Sequence, residues 1–161
     1  MDFKKVLSIL ILVILAVILS GGVSSSDVSG SGGPDLQADI SIDNVEFNIP
    51  EGYEKNTTKT IVNQTNTFGD MTYVLNQETF VSSDAKEIII SVVDLSGMDV
   101  DEQTLSQITQ GAENKTLMGY QGYLKKDGNS ITFGYRFNNK AVTITAPSEE
   151  LINNILVMED A

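Results

Sequence analysis

The chain contains no cysteine and no histidine, and only 10 of its 161 residues are basic, against 22 acidic. Each shortage removes a class of chemistry. Without a thiol there is no disulfide framework, zinc finger, iron–sulfur cluster, cysteine nucleophile or lipid-bearing cysteine. Without an imidazole there is no histidine base and no Ser-His-Asp triad. The formal net charge of −12 argues against nucleic acid as a partner, since holding phosphates takes a basic patch. It argues equally against attraction to anionic lipid headgroups.

Other chemistries fail on pattern. There is no G-x-S-x-G elbow, the glycines of 21–33 precede no strand–helix unit, and Gly119-x-x-Gly122 falls in a predicted strand, so no phosphate cradle is present. With 22 acids, a carboxylate pair for hydrolysis can be drawn almost anywhere, and spacing singles none out. The densest group is Asp94, Asp99, Asp101 and Glu102 around Ser96-Gly97. Oxygen ligands suit Ca²⁺, but this spacing is not that of an EF-hand loop. Asp99 as N-cap and Glu102 at N3 instead explain the acids as a helix start. The sequence therefore assigns no catalytic, metal or cofactor-binding residue and implies no cofactor.

What the sequence does have is a greasy beginning. Lys4 and Lys5 precede an apolar run from Val6 to Leu19, and no charge returns until Asp27, an uncharged stretch of 21 residues. As a helix the apolar run spans about 21 Å at ~1.5 Å per residue. That is short of the ~30 Å hydrocarbon core, so crossing it recruits Phe3 and Ser20–Val23 as well. Residues 1–23 read as a signal anchor or, with Ser20 and Gly22 before a cut at Val23, as a cleaved signal peptide. Either way the two lysines keep the amino end in the cytoplasm and send the rest across. The expected location is the cell membrane, single-pass, with the carboxyl-terminal domain outside; secretion is the alternative.

Residues 24–37 continue a stretch, 21–37, in which Gly and Ser fill 10 of 17 positions. Such a segment buries too little apolar surface to offset its ordering entropy, and as a flexible coil it reaches about 23 Å. It is a tether. Residues 38–161 are the expected folded domain, large enough for a hydrophobic core. From residue 23 on, 8 basic face 21 acidic residues, a net −13, scattered singly as on a solvated surface. Three N-x-[ST] sequons mark candidate N-glycosylation sites at Asn56, Asn63 and Asn114.

Alternation predicts a strand over Val45, Phe47 and Ile49, ended by Pro50-Glu51-Gly52. A second strand is expected over Thr58–Asn66, turning near Phe68-Gly69-Asp70, and a third from Met71 to about Phe80. Glu87–Val93 is apolar on both faces, the mark of a central strand covered on both sides. A helix follows with Leu105, Ile108 and Ala112 at helical spacing. A strand over Leu117–Lys125 turns at Asp127-Gly128. Ile131, Phe133, Tyr135 and Phe137 then share a core face, while Tyr123 falls opposite Tyr120 and is expected to be exposed, as is Arg136. Asn138-Asn139 makes a tight turn into Val142, Ile144 and Ala146. Ser148 caps a last helix whose inward face is Leu151, Ile152, Ile155 and Leu156 or Met158. Gly119 and Gly122 mark a bulge or a close backbone approach. The expectation is an α+β domain: a mostly antiparallel sheet of six to seven strands with two helices.

The stretch Phe47-x-Ile49-Pro50-Glu51-Gly52-Tyr53 resembles the opening of PsbP-like domains and of several families of small bacterial and archaeal lipoproteins. The Gly-rich strand Met118–Tyr123, the hairpin after it and the closing amphipathic helix are similar as well. The resemblance covers about fifty residues in two pieces and implies a fold, not an activity. The anchor, tether and acidic β-rich domain also look like exported archaeal proteins. The functional expectation is a non-enzymatic interaction or accessory domain at the cell surface, with a protein or cell-wall partner. Two other readings stay open: a carboxylate hydrolase of wall or surface polymers, and a small-ligand or cation-binding protein.

Overall fold

A computed structural model describes residues 39–68, 71–109 and 112–158. The amino-terminal apolar run and the tether lie outside them. Among the described residues no helix is long and apolar enough to cross a membrane.

The fold is α+β. Two short strands, β1 (Ile40–Ile42) and β2 (Val45–Phe47), form a hairpin of their own. The other eight strands make one antiparallel sheet: β3 (Tyr53–Lys55), β4 (Ile61–Phe68), β5 (Met71–Ser82), β6 (Glu87–Asp94), β7 (Glu113–Leu117), β8 (Tyr120–Asp127), β9 (Ser130–Phe137) and β10 (Lys140–Ala146). Across the sheet the order is β3-β5-β6-β10-β9-β8-β7. β5 is long enough to serve two neighbours, pairing with β4 from Met71 to Gln77 and with β3 from Phe80 to Ser82. The chain thus makes two meanders, β4-β5-β6 and β7-β8-β9-β10, and among the described residues the strand pairing that joins them is β6–β10. Helix α1 (Glu102–Ile108) crosses from one meander to the other, and α2 (Glu149–Ile155) closes the described chain.

Strand alternation gives the sheet two faces, and both are covered. On the first, Phe80, Ile88, Ile90, Val92, Phe133, Tyr135, Val142 and Ile144 meet Ile42, Val45 and Phe47 of the hairpin and Ile152 and Ile155 of α2. A backbone bridge joins Phe47 to Leu156, and the Asn48 N–H donates to the Ile155 carbonyl at 2.8 Å, so the hairpin and α2 are clasped as one cover. On the second face, Tyr73, Leu75, Val93 and Ala141 pack against Leu95, Val100 and Ile108. β6 is therefore buried along six successive residues, as its two-sided apolar sequence requires.

Several sequence expectations need correction. Among the described residues, ten strands in two sheets replace the six to seven foreseen. Asp43 and Asn44 both take positive φ, a primed hairpin turn, so the expected first strand pairs with an unforeseen β1; it ends at Phe47, short of Ile49. The expected strand from Thr58 starts instead as a 3-10 turn, Thr57–Lys59, capped by Asn56. Leu117–Lys125 is not one strand: Met118 (φ 50) and Gly119 (φ 92) fold it back into the β7–β8 hairpin. Of the two candidates for the inward face of the last helix, Leu156 is buried and Met158 is 66% exposed. Ser148 does cap that helix, its hydroxyl accepting from the Leu151 N–H.

Candidate functional site: the loop end of the sheet

The expected acid cluster lies where β6 hands over to α1. The N-cap there is Asp101, not Asp99: its carboxylate accepts from the Thr104 N–H at 2.7 Å, which places Glu102 at the first helical position. A two-residue misplacement of this kind is natural where two aspartates stand so close together, since either can cap. Among the described residues no group of three or more acids is gathered as a metal site would need, and Asp94, Asp99, Asp101 and Glu102 do not converge.

What does converge is backbone. The β9–β10 turn, Asn138-Asn139, has φ of 45° and 62°, a conformation that asparagine tolerates better than most residues. From that turn the Asn139 side chain reaches the β6–α1 loop. Its Oδ1 accepts from the Val100 N–H at 2.9 Å and its Nδ2 donates to the Met98 carbonyl at 3.3 Å. The next residue, Lys140, reaches the other way. Its Nζ donates to the Asp43 carbonyl at 2.6 Å and pairs with the Asp43 carboxylate at 2.8 Å. Three connections far apart in sequence, the turns at 43–44 and 138–139 and the loop 95–101, are thereby pinned into one end of the molecule. Asn44, Ser96, Gly97, Asp99, Asp101, Glu102, Asn138 and Asn139 are exposed there.

The Asp101 carboxylate is held below its ordinary value of 3.8 chiefly by the Thr104 backbone N–H, and next by the Thr104 side chain. Its pKa is thus lower folded than unfolded. The cap's full contribution is present above the unfolded value and is lost as pH falls through the folded one. Asp101→Ala should melt below the parent at neutral pH, with the gap narrowing as the solution is acidified through the carboxylate range. Melting curves of both proteins against pH check this.

No family model, curated protein or solved structure matches this chain.

The remaining sequence candidates are spread out. Asn63 lies on β4, Asn114 on β7 and Asn56 at the 3-10 turn. Phe133 and Tyr135 are core, as their alternation implies, and Tyr120 joins them, its ring 4.6 Å from that of Tyr135. Tyr123 is half-buried and Arg136 exposed. Three buried side-chain atoms on β5 have no hydrogen-bond partner among the described residues: Asn76 Nδ2, Glu78 Oε2 and Thr79 Oγ1. They lie where the outer neighbour of β5 changes from β4 to β3. Alternation sends Asn76 and Glu78 to one face and Thr79 to the other, so they do not form one site.

Sequence reading missed the Asn139 pin. Nothing in a one-dimensional pattern distinguishes an asparagine that only turns the chain from one that also ties down a loop 39 residues away.

Proposed function

We propose that this chain is a non-enzymatic extracytoplasmic interaction or accessory domain, held at the cell surface by its amino-terminal helix, with the loop end as its contact surface. The observation that carries the reading is the pinning of three connections by Asn139 and Lys140. Binding surfaces are built on loops held by a rigid scaffold, and a loop fixed beforehand loses less entropy when a partner arrives. Exposed Asp99, Asp101 and Glu102 favour a partner surface of opposite charge, because complementary fields speed encounter and exclude wrong partners.

The hydrolase alternative draws less support. A carboxylic acid that donates a proton near neutral pH needs its pKa raised. Among the described residues, Asp84 and Asp101 are both shifted down, Asp84 under the Lys86 and Ser82 hydrogen bonds and Asp101 through its capping role.

The absence of cysteine makes a clean test available. Asn129→Cys in the exposed turn between β8 and β9 supplies a single thiol in the full chain. A membrane-impermeant maleimide should label it on intact cells; labelling only after lysis overturns the location. Photo-crosslinking residues placed at Asn44 and at Asp99 should capture the same protein partner, and Asn139→Leu, which frees the loop, should weaken both captures. Capture from elsewhere on the domain but not from these two positions overturns the loop end as the contact.

A further inference from the structure

Among the described residues the sheet has two free margins, and each carries a sequon. At one, beside β3, β4 pairs with β5 alone, and at the other β7 pairs with β8 alone. Asn63-Gln64-Thr65 lies on β4 and Asn114-Lys115-Thr116 on β7. Asn63, Thr65, Asn114 and Thr116 are all exposed. Free edges are a liability, since their unpaired N–H and C=O groups template the addition of a foreign strand. Natural edges are protected by lysine, by proline or by bulges. β4 has only the last of these. No residue from Thr60 to Phe68 is charged, and none is proline. Its one irregularity is the register shift between Ile61 and Gln64, which sets Val62 and Asn63 together against Asn76. Val62 is 69% exposed there. Beyond the bulge, Gln64–Phe68 is regular strand.

The three sequon asparagines differ in how far the fold explains them. Asn56 is accounted for: its Oδ1 accepts from the Thr58 N–H and the Thr58 hydroxyl, capping the 3-10 turn. Asn63 is partly accounted for, because its φ of 48° suits asparagine, but that does not call for Thr65. Asn114 is not accounted for at all. It sits in extended strand, where asparagine is disfavoured, and no hydrogen bond of its side chain is recorded among the described residues.

We infer that Asn63 and Asn114 are N-glycosylated, and that the two glycans close the two edges of the sheet against strand addition. The inference rests on the reading that this domain is exported. The donor is an oligosaccharide linked through phosphate to a polyprenyl carrier. In the transfer a bond forms between Asn Nδ2 and C1 of the first sugar, and the bond from C1 to the carrier's phosphate oxygen breaks. The phosphate leaves with the electron pair, and Nδ2 gives up one proton. A bulky solvated group then stands on each outermost strand, where an incoming backbone would have to lie.

The test uses the full chain isolated from the membranes of its own cells, with peptide mass mapping before and after enzymatic removal of N-glycans. The expected result is a glycan mass on the peptides holding Asn63 and Asn114, lost in Thr65→Ala and Thr116→Ala respectively. Both variants keep the asparagine, so the bulge at Asn63 is undisturbed. The double variant should keep the parent's far-UV circular dichroism while shifting from monomer towards dimers and larger species in sedimentation. Bare peptides at both positions overturn the inference, and a double variant that loses its glycans yet stays monomeric overturns the shielding role. Maleimide labelling of the Asn129→Cys chain on intact cells separates the two failures. A labelled but bare protein sinks the glycans alone, whereas an unlabelled one sinks the export reading with them.

Discussion

Gly122→Ala should cost the domain about 3 kcal/mol or more, the upper range for forcing a carbon into filled space, and lower its Tm by roughly 10–15 °C. Gly122 lies on β8, on the core face. A Cβ built there meets the Gly134 backbone oxygen at 2.2 Å and two ring carbons of Phe133 at 2.9 Å. The ring by itself can swing on its own bonds, but the oxygen belongs to β9, which is paired on both sides, to β8 and to β10. It retreats only if the ladder opens. Gly134→Ala is the instructive comparison, because its Cβ meets the Thr109 methyl at 2.4 Å. That is a side-chain methyl at the terminus of α1, not the backbone of a doubly paired strand, so the loss should be smaller. Thermal melts of both variants decide it; a Gly122→Ala protein within about 1 kcal/mol of the parent would mean that β8 and β9 do not approach this closely.

The second large effect is expected at Phe47. Its side chain is 0% exposed, and its backbone bridges Leu156, so it stands where the first and last described elements meet. Phe47→Ala should cost about 3–5 kcal/mol, the range for emptying a buried aromatic site. Single domains hold only about 5–15 kcal/mol in reserve. The loss should therefore take much of the domain's stability, and denaturant midpoints measure it. Glu46→Ala next door removes an exposed side chain from the other face of β2 and should stay within about 0.5 kcal/mol of the parent. Equal losses at the two positions would show that the hairpin does not cover the core.

The core was legible because burial follows alternation. Phe133 and Tyr135, the two-sided run of β6 and the Ile152–Ile155 stripe of α2 all announce themselves by period. Gly122 was legible as a place of close approach, though not what approaches it. The boundaries were harder. Asp43-Asn44 between Ile40–Ile42 and Val45–Phe47 carries a hairpin signal, but each strand has only three residues, too few for alternation to stand out. Met118 at φ 50 breaks the expected Leu117–Lys125 strand against its own preference, and only Gly119 beside it hints at the turn. The candidate site was legible in composition but not in arrangement. The acids were evident, whereas what organises the loop end is an asparagine amide and a lysine whose partners lie 39 and 97 residues away.

The β6–β10 seam between the two meanders also governs the order in which the molecule can be finished. β6 finds its first neighbour, β5, across a short connection, but its second, β10, is synthesised about fifty residues later. Until Lys140–Ala146 has emerged, the most apolar strand of the chain has one flank without a ladder. Contacts this distant in sequence slow folding, and the half-made sheet is the species most exposed to aggregation. A chain stopped anywhere before β10 would therefore leave its core ajar at the centre, not frayed at a margin.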